Sequence, residues 1–309
     1  MTSGTPTPAE VPTTAPASRG VPVPISVPVV PSASHRAAVL GKPIAHSLSP
    51  ALHRAGFHAV GLVHWTYDRM ECDAAQLPGL LEKAGPEWAG FSITMPGKAA
   101  AAAAAQSRGS RVDLLGAANT LLRTPGGWRA ENTDVDGVIG ALGAAGVRAD
   151  SVLVLGGGGT ARSVVAAVAE MGVAAVVLAG RTPAGISQCA ELAGSLGLRV
   201  TLSDLSVGSI SRCTPGVQLV VSTVPAGAAD HLAAALASVP ALLDAVYFPW
   251  PTPIAAAAGP GRITVTGLDM LMHQAFSQFE LFTGIPAPKS AMRAGLLAAS
   301  GASMPLPVR

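Results

Sequence analysis

The stretch VLVLGGGGTARSV, Val152 to Val164, constrains what this chain can fold into more than any other. Its unbroken aliphatic start reads as a buried strand, and the Ala- and Val-rich segment after the glycines reads as a helix. Between them the spacing Gly156-x-Gly158-x-x-Ala161 provides a glycine for the tight turn, another for close backbone approach, and a small residue where helix packs on strand. A helix that opens at such a turn aims unpaired N–H groups at an anion. Glycine runs also serve as plain turns, but the strand before and the helix after supply the context of a dinucleotide site. Gly156, Gly157, Gly158, Gly159, Thr160 and Ala161 are therefore the candidate cradle for a pyrophosphate. The next strand, VVLAGRT, ends in Gly180, Arg181 and Thr182 with no acid to hold a ribose 2′-hydroxyl. The planar fork of Arg181 suits a 2′-phosphate instead, which points to NADP(H) rather than NAD.

The same alternation of short apolar runs with Ala-rich helical segments fills the chain from Arg36 onward, the pattern of an α/β fold with parallel strands and covering helices. Strands are expected at Ala37–Leu40, Val63–Tyr67, Gly90–Thr94, Ser151–Leu155, Ala174–Leu178, Val217–Ser222 and Leu242–Val246, with a strand pair over Thr120–Arg123 and Trp128–Glu131. Helices are expected at Pro50–Ala59, Gln76–Lys83, Lys98–Gln106, Asp136–Ala145 and Leu268–Phe282. Residues 1–34 hold eight prolines and only two charges, and read as a disordered or polyproline-like tail. With 309 residues, 12% charged side chains and a formal net charge of +2, nothing marks a nucleic-acid or membrane partner. Cys72, Cys189 and Cys213 are far apart and odd in number, which fits buried thiols in a reducing cytoplasm rather than disulfides or a metal site.

Outside the glycine loop, polar groups gather at strand ends and loops, where α/β sheets place their ligand groups. They lie in GKPIAHSLSP (Gly41–Pro50), SITMPGK (Ser92–Lys98), GAANTL (Gly116–Leu121) and ENTDVDG (Glu131–Gly137). Lys98 is the odd one, a cation in the first turn of a helix, where the helix dipole disfavours it by roughly 0.3–1 kcal/mol. Ser47 or Ser49 could simply cap the helix near Pro50, and Asp134 or Asp136 the helix that follows them.

Taken in order with the glycine loop and GLDMLMHQ (Gly267–Gln274), these stretches closely resemble the shikimate dehydrogenase family over about Ala37 to Gly284. STVPAG (Ser222–Gly227) and DAVYFPWPTP (Asp244–Pro253) resemble its actinobacterial branch. The resemblance implies an N-terminal α/β substrate domain over residues 35–136, completed by a C-terminal helix over 268–300. A Rossmann-type NADP-binding domain over 137–267 would follow, with the cleft between the two. It implies NADPH-dependent reduction of 3-dehydroshikimate to shikimate, with Lys98 and Asp134 catalytic and no metal. Ser47, Ser49 and Tyr247 would meet the substrate carboxylate, and Thr94, Asn119 and Gln274 the ring hydroxyls. Thr223, Val246, Gly267 and Met270 would join Arg181, Thr182 and the glycine loop on the coenzyme. A cytoplasmic enzyme acting on a small molecule, as monomer or homodimer, is expected.

Three positions depart from the family pattern. Ser92 stands where asparagine is most frequent, Gly180 where asparagine precedes Arg-Thr, and no second basic residue follows Arg181 in Pro183-Ala184-Gly185. A quinate/shikimate dehydrogenase working catabolically with NAD is the alternative reading, although an acid after the second coenzyme strand would then be expected. A coenzyme-sensing homologue without catalysis is a further one, although it would be expected to have lost Lys98 or Asp134.

Overall fold

Two six-stranded sheets, each covered by helices, carry the cleft. The computed structural model describes Met1 and residues 35–259, 261–301 and 307–308, so the expected tail over residues 1–34 lies, Met1 apart, outside the described residues. The first sheet holds β1 (His35–Gly41), β2 (Trp65–Glu71), β3 (Trp88–Ile93), β4 (Ser107–Arg108), β5 (Thr120–Thr124) and β6 (Gly127–Glu131). Their spatial order is β2-β1-β3-β5-β6-β4. It is mixed: β1 lies parallel to both β2 and β3, while β5 runs antiparallel to β3 and to β6. The expected strand pair over residues 120–131 is thus present, with Asn119 directly before β5.

The second sheet is parallel throughout, with β7 (Ser151–Leu155), β8 (Ala175–Ala179), β9 (Arg199–Ser203), β10 (Leu219–Ser222), β11 (Ala241–Asp244) and β12 (Ile263–Thr266). Its order β12-β11-β10-β7-β8-β9 reverses direction at β7, and the carboxyl ends of strands beside such a reversal form the crevice where α/β sheets bind ligands.

In the first half α1 (Ser49–Ala59) packs on one sheet face, and α2 (Leu77–Lys83), α3 (Lys98–Ala104) and α4 (Ser110–Leu115) lie on the other. Next, α5 (Asp134–Ala144) leads into the second half, where α6 (Gly159–Glu170), α7 (Pro183–Ser195), α8 (Val207–Cys213) and the single turns α9 (Ala233–Leu236) and α10 (Pro253–Ala256) follow in order. The chain then returns. Leu268, Met272, Phe276 and Phe279 of α11 (Gly267–Thr283) join Ala37, Val39, Leu52 and Phe57 in one apolar core, with Met292 and Leu296 of α12 (Lys289–Ser300).

Four expectations are corrected. The helix expected over 268–300 is two helices, because Gly284 adopts a left-handed conformation (φ +69°) and Pro286 and Pro288 follow. The strand expected at Val63–Tyr67 begins only at Trp65 and continues to Glu71, with Val63 exposed. The helix expected from Asp136 starts at Asp134, so Asp134 is its first residue rather than its cap. The strand expected to reach Val246 stops at Asp244, whose carboxylate bonds the Val246 N–H (3.1 Å) and the Thr252 hydroxyl (2.7 Å) and turns the chain. Among the described residues no helix is long and apolar enough to cross a membrane.

Candidate active site

Lys98 begins α3 after a turn that follows the end of β3 at Ile93, and Asp134 begins α5 a short step beyond the end of β6 at Glu131. Two helix starts therefore face each other, one bearing a cation and the other an anion. Lys98 Nζ donates to Asp134 Oδ2 at 2.5 Å. The pair is largely buried, with side-chain exposures of 20% and 8%, so solvent screens it far less than a surface pair. The dipole penalty on Lys98 is thereby offset locally.

Asn119 is the third member. Its Nδ2 lies 2.9 Å from Asp134 Oδ1, 2.9 Å from Thr133 Oγ1 and 3.2 Å from Gln274 Oε1. Its Oδ1 accepts from the Thr133 N–H (2.8 Å) and the Thr120 hydroxyl (2.9 Å). Asn132 closes the same turn, its Oδ1 accepting from the Asp134 N–H at 3.0 Å and its Nδ2 donating to the Ala117 carbonyl at 2.9 Å. Lys98, Asp134, Asn119 and Gln274, expected together from sequence, are thus joined by hydrogen bonds.

Lys98 and Thr94 line one cleft of about 920 Å³ with Gly156 to Ala161, Arg181, Thr182 and Thr223. The glycines divide into two kinds. A Cβ on Gly157 would lie 1.9 Å from the Gly185 carbonyl oxygen, and one on Gly156, held at φ +111°, 2.5 Å from Thr223 Oγ1. These two let the turn close against its neighbours. Gly158 and Gly159 have nothing within 4 Å of that position and face open space. No side chain caps α6, so the N–H groups of its first turn are left to that space, which fits a pyrophosphate. Arg181 is exposed at the far flank, where a hollow of about 370 Å³ also takes in Arg212 and Asp204. Thr182 Oγ1 caps α7 by accepting from the Gly185 N–H (3.2 Å).

Tyr247 and Val246 line a second cavity of about 1160 Å³ with His46, Leu48 and Leu268. Burial pushes the Tyr247 phenol above its ordinary range, so it stays a donor at neutral pH. Ser49 is buried at the head of α1, where neither serine caps the helix by its side chain; Ser47 Oγ accepts only weakly from the Ser49 N–H (3.4 Å). Gly267 and Met270 line neither cavity. A Cβ on Gly267 would lie 2.1 Å from the Ala245 carbonyl, so this glycine seats α11 against the end of β11, and Met270 is buried in the core of the second half.

The model of the shikimate dehydrogenase substrate binding domain matches residues 39–121, and that of the shikimate 5′-dehydrogenase C-terminal domain matches residues 267–297. The shikimate dehydrogenase (NADP(+)) of Methylobacterium radiotolerans is 38% identical over 273 residues, covering 83% of this chain and 94% of the relative. The chain belongs to the shikimate dehydrogenase family. The crystal structure of Mycobacterium tuberculosis shikimate dehydrogenase is 47% identical, with a TM-score of 0.81 over 85% of this chain and 99% of that one. That of the Thermus thermophilus shikimate 5-dehydrogenase, in complex with NADP(H) and shikimate, is 32% identical with a TM-score of 0.75, covering 86% and 99%.

Against this family background, two residues of the buried network carry only weak marks in the sequence. Gln278 is 1% exposed and sits one turn after Gln274; a second glutamine at i+4 on an otherwise apolar helix face was the available signal. Tyr67 is fully buried and donates to Ser92 Oγ, but its strand reads as polar. Ser92, which stands where the family most often has asparagine, donates inward to Gln278 Oε1 (2.7 Å).

Proposed function

We propose that this chain catalyses the reversible, NADPH-dependent reduction of 3-dehydroshikimate to shikimate, a step toward chorismate and the aromatic amino acids. The observation that carries this reading is the Lys98–Asp134–Asn119 constellation, whose lysine opens on the same cleft as the glycine loop and Arg181. NADPH supplies the hydride when bound. The protein has to orient the ring and move one proton at the C3 oxygen. Lys98 stabilises the developing alkoxide with its ammonium and gives that oxygen a proton, and takes it back in the oxidative direction. Asp134 aims Nζ. Thr94, Asn119 and Gln274 hold the ring hydroxyls, and Ser47, Ser49 and Tyr247 hold the carboxylate.

Gly156, Gly157, Gly158, Gly159, Thr160 and Ala161 take the pyrophosphate and Arg181 and Thr182 the 2′-phosphate; Thr223 joins them from the same cleft, whereas Val246, Gly267 and Met270 lie outside it. Residues 35–136 with the two C-terminal helices serve as the substrate domain and residues 137–267 as the coenzyme domain. The enzyme works in the cytoplasm as a monomer or homodimer, without nucleic-acid or membrane partners.

Initial rates of shikimate and quinate oxidation, each with NADP and with NAD, test the reading alongside Lys98→Ala. Dominant turnover of shikimate with NADP, lost in the variant while shikimate still binds, supports it. Comparable turnover of quinate with NAD replaces it by the catabolic alternative, and no turnover of any pair refutes it.

A further inference from the structure

A buried polar chain runs behind the catalytic constellation. Tyr67 donates to Ser92 Oγ (2.5 Å), Ser92 to Gln278 Oε1 (2.7 Å), and Gln278 Nε2 to Thr120 Oγ1 (2.8 Å) and to the Asn119 backbone carbonyl (3.0 Å). Thr120 Oγ1 completes the chain on Asn119 Oδ1 (2.9 Å). All five residues are at most 4% exposed, so water cannot substitute for a lost partner.

The direction of every proton follows from two fixed groups, the Asn119 backbone carbonyl and the Thr133 backbone N–H. The Asn119 backbone carbonyl can only accept, so the Gln278 amide must turn its NH₂ toward it and its oxygen toward Ser92. Ser92 must then donate to that oxygen and accept from Tyr67. The second amide proton of Gln278 fills a lone pair of Thr120 Oγ1 and leaves the Thr120 proton for Asn119 Oδ1. With the Thr133 N–H on the same oxygen, the NH₂ of Asn119 faces Asp134, the Thr133 hydroxyl and Gln274. At the other end the His53 ring stacks flat on the Tyr67 phenol, 4.2 Å away and 4° from parallel. The chain therefore spans from a tyrosine stacked under α1 to the asparagine beside the lysine.

We propose that Gln278 is a positioning residue: by bonding the Asn119 backbone carbonyl and directing the Thr120 proton onto Asn119 Oδ1, it holds in place the amide that ties Asp134 to Gln274 on the substrate side. This rests on the reading of Asn119 as a substrate contact. The test measures kcat and KM for shikimate in Gln278→Met, alone and in an Asn119→Ala background, on the full chain, with melting temperatures. The expected result is an about tenfold rise in KM for Gln278→Met alone and a change below about twofold once Asn119 is gone. Gln278→Glu should recover part of the loss at low pH, where a carboxylic acid still has a proton to donate, and lose it as pH rises. Should Gln278→Met fail to fold, Thr120→Val interrupts the same chain and is compared in the same two backgrounds. An equal loss in both backgrounds, or a lowered melting temperature with kinetics unchanged, overturns the proposal in favour of packing alone. If Asn119→Ala itself changes nothing, the functional reading fails and the inference with it; if only the Gln278 variant is silent, the reading stands and the inference falls.

Discussion

Asp134 holds Lys98 with one carboxylate oxygen and Asn119 with the other, at 2.5 and 2.9 Å. One buried anion thus fixes the position of a cation and the orientation of an amide. Each partner is short-tethered, since Lys98 and Asp134 are both first residues of helices anchored by strand ends. Removing Asp134 leaves the ammonium to drift and takes from the amide its one charged acceptor, Thr133 Oγ1 and Gln274 Oε1 remaining.

Lys98→Ala should therefore lower kcat by about 10²–10⁴-fold with little change in shikimate affinity, since it removes the group that handles the proton. Asp134→Asn keeps the shape but not the charge, and should lower kcat and raise KM together. Steady-state kinetics with a separate shikimate titration distinguish the two patterns. Equal effects of both variants on KM alone would remove Lys98 from the chemistry.

Coenzyme choice is the second expectation. Arg181 is exposed on the flank of the cleft, where guanidinium geometry matches a 2′-phosphate. Arg181→Ala should raise KM for NADPH by about tenfold or more and leave that for NADH within about twofold. Arg212, in the same hollow, already donates to Ser209 Oγ (3.0 Å), so Arg212→Ala should act more weakly. Inhibition by 2′,5′-ADP, which carries the phosphate without the nicotinamide, checks both.

The glycine loop makes a prediction from space alone. An alanine at Gly157 would meet backbone at 1.9 Å and should destabilise the fold by about 1–3 kcal/mol. Gly158 has extended backbone (φ −80°, ψ −169°) and open space around it, so Gly158→Ala should leave the melting temperature unchanged and weaken NADPH binding. Thermal unfolding and coenzyme titration on the two variants should give opposite patterns.

Much of this was legible in the sequence, and the exceptions share a cause. Central strands such as β7 are buried on both faces and read as unbroken apolar runs. Edge strands β2 and β9 bury few residues and look polar, so β2 was displaced and β9 carried no signal. The residues of the constellation sit in short polar motifs at strand ends, which makes them visible one by one. Their wiring was not visible, because Gln278 and Asn119 are 159 residues apart and only α11, folding back onto β3 and β5, brings them together. Asp134 as first residue of α5 was likewise hidden, since Asp136 competes for the same helix-start signal and instead binds Arg111 (2.6 Å).

His53 gives the last expectation, on stability rather than activity. It is a fully buried residue of α1, stacked on Tyr67, and burial lowers its pKa from 6.5 to about 3. The folded protein therefore keeps it neutral while the unfolded chain takes up a proton below about pH 6.5. For a base with a depressed folded pKa, stability is complete above the unfolded value and declines as pH falls from there toward 3. At pH 5 the loss amounts to roughly 2 kcal/mol, the free energy of about 1.5 pH units below the reference pKa. His273, also lowered by burial, adds a smaller loss of the same sign. His53→Phe keeps a flat ring against Tyr67 and removes the titration, so urea unfolding at pH 7.5 and at pH 5 should differ much less in the variant than in the parent. An unchanged difference would mean that His53 is charged in the folded protein, contrary to its burial.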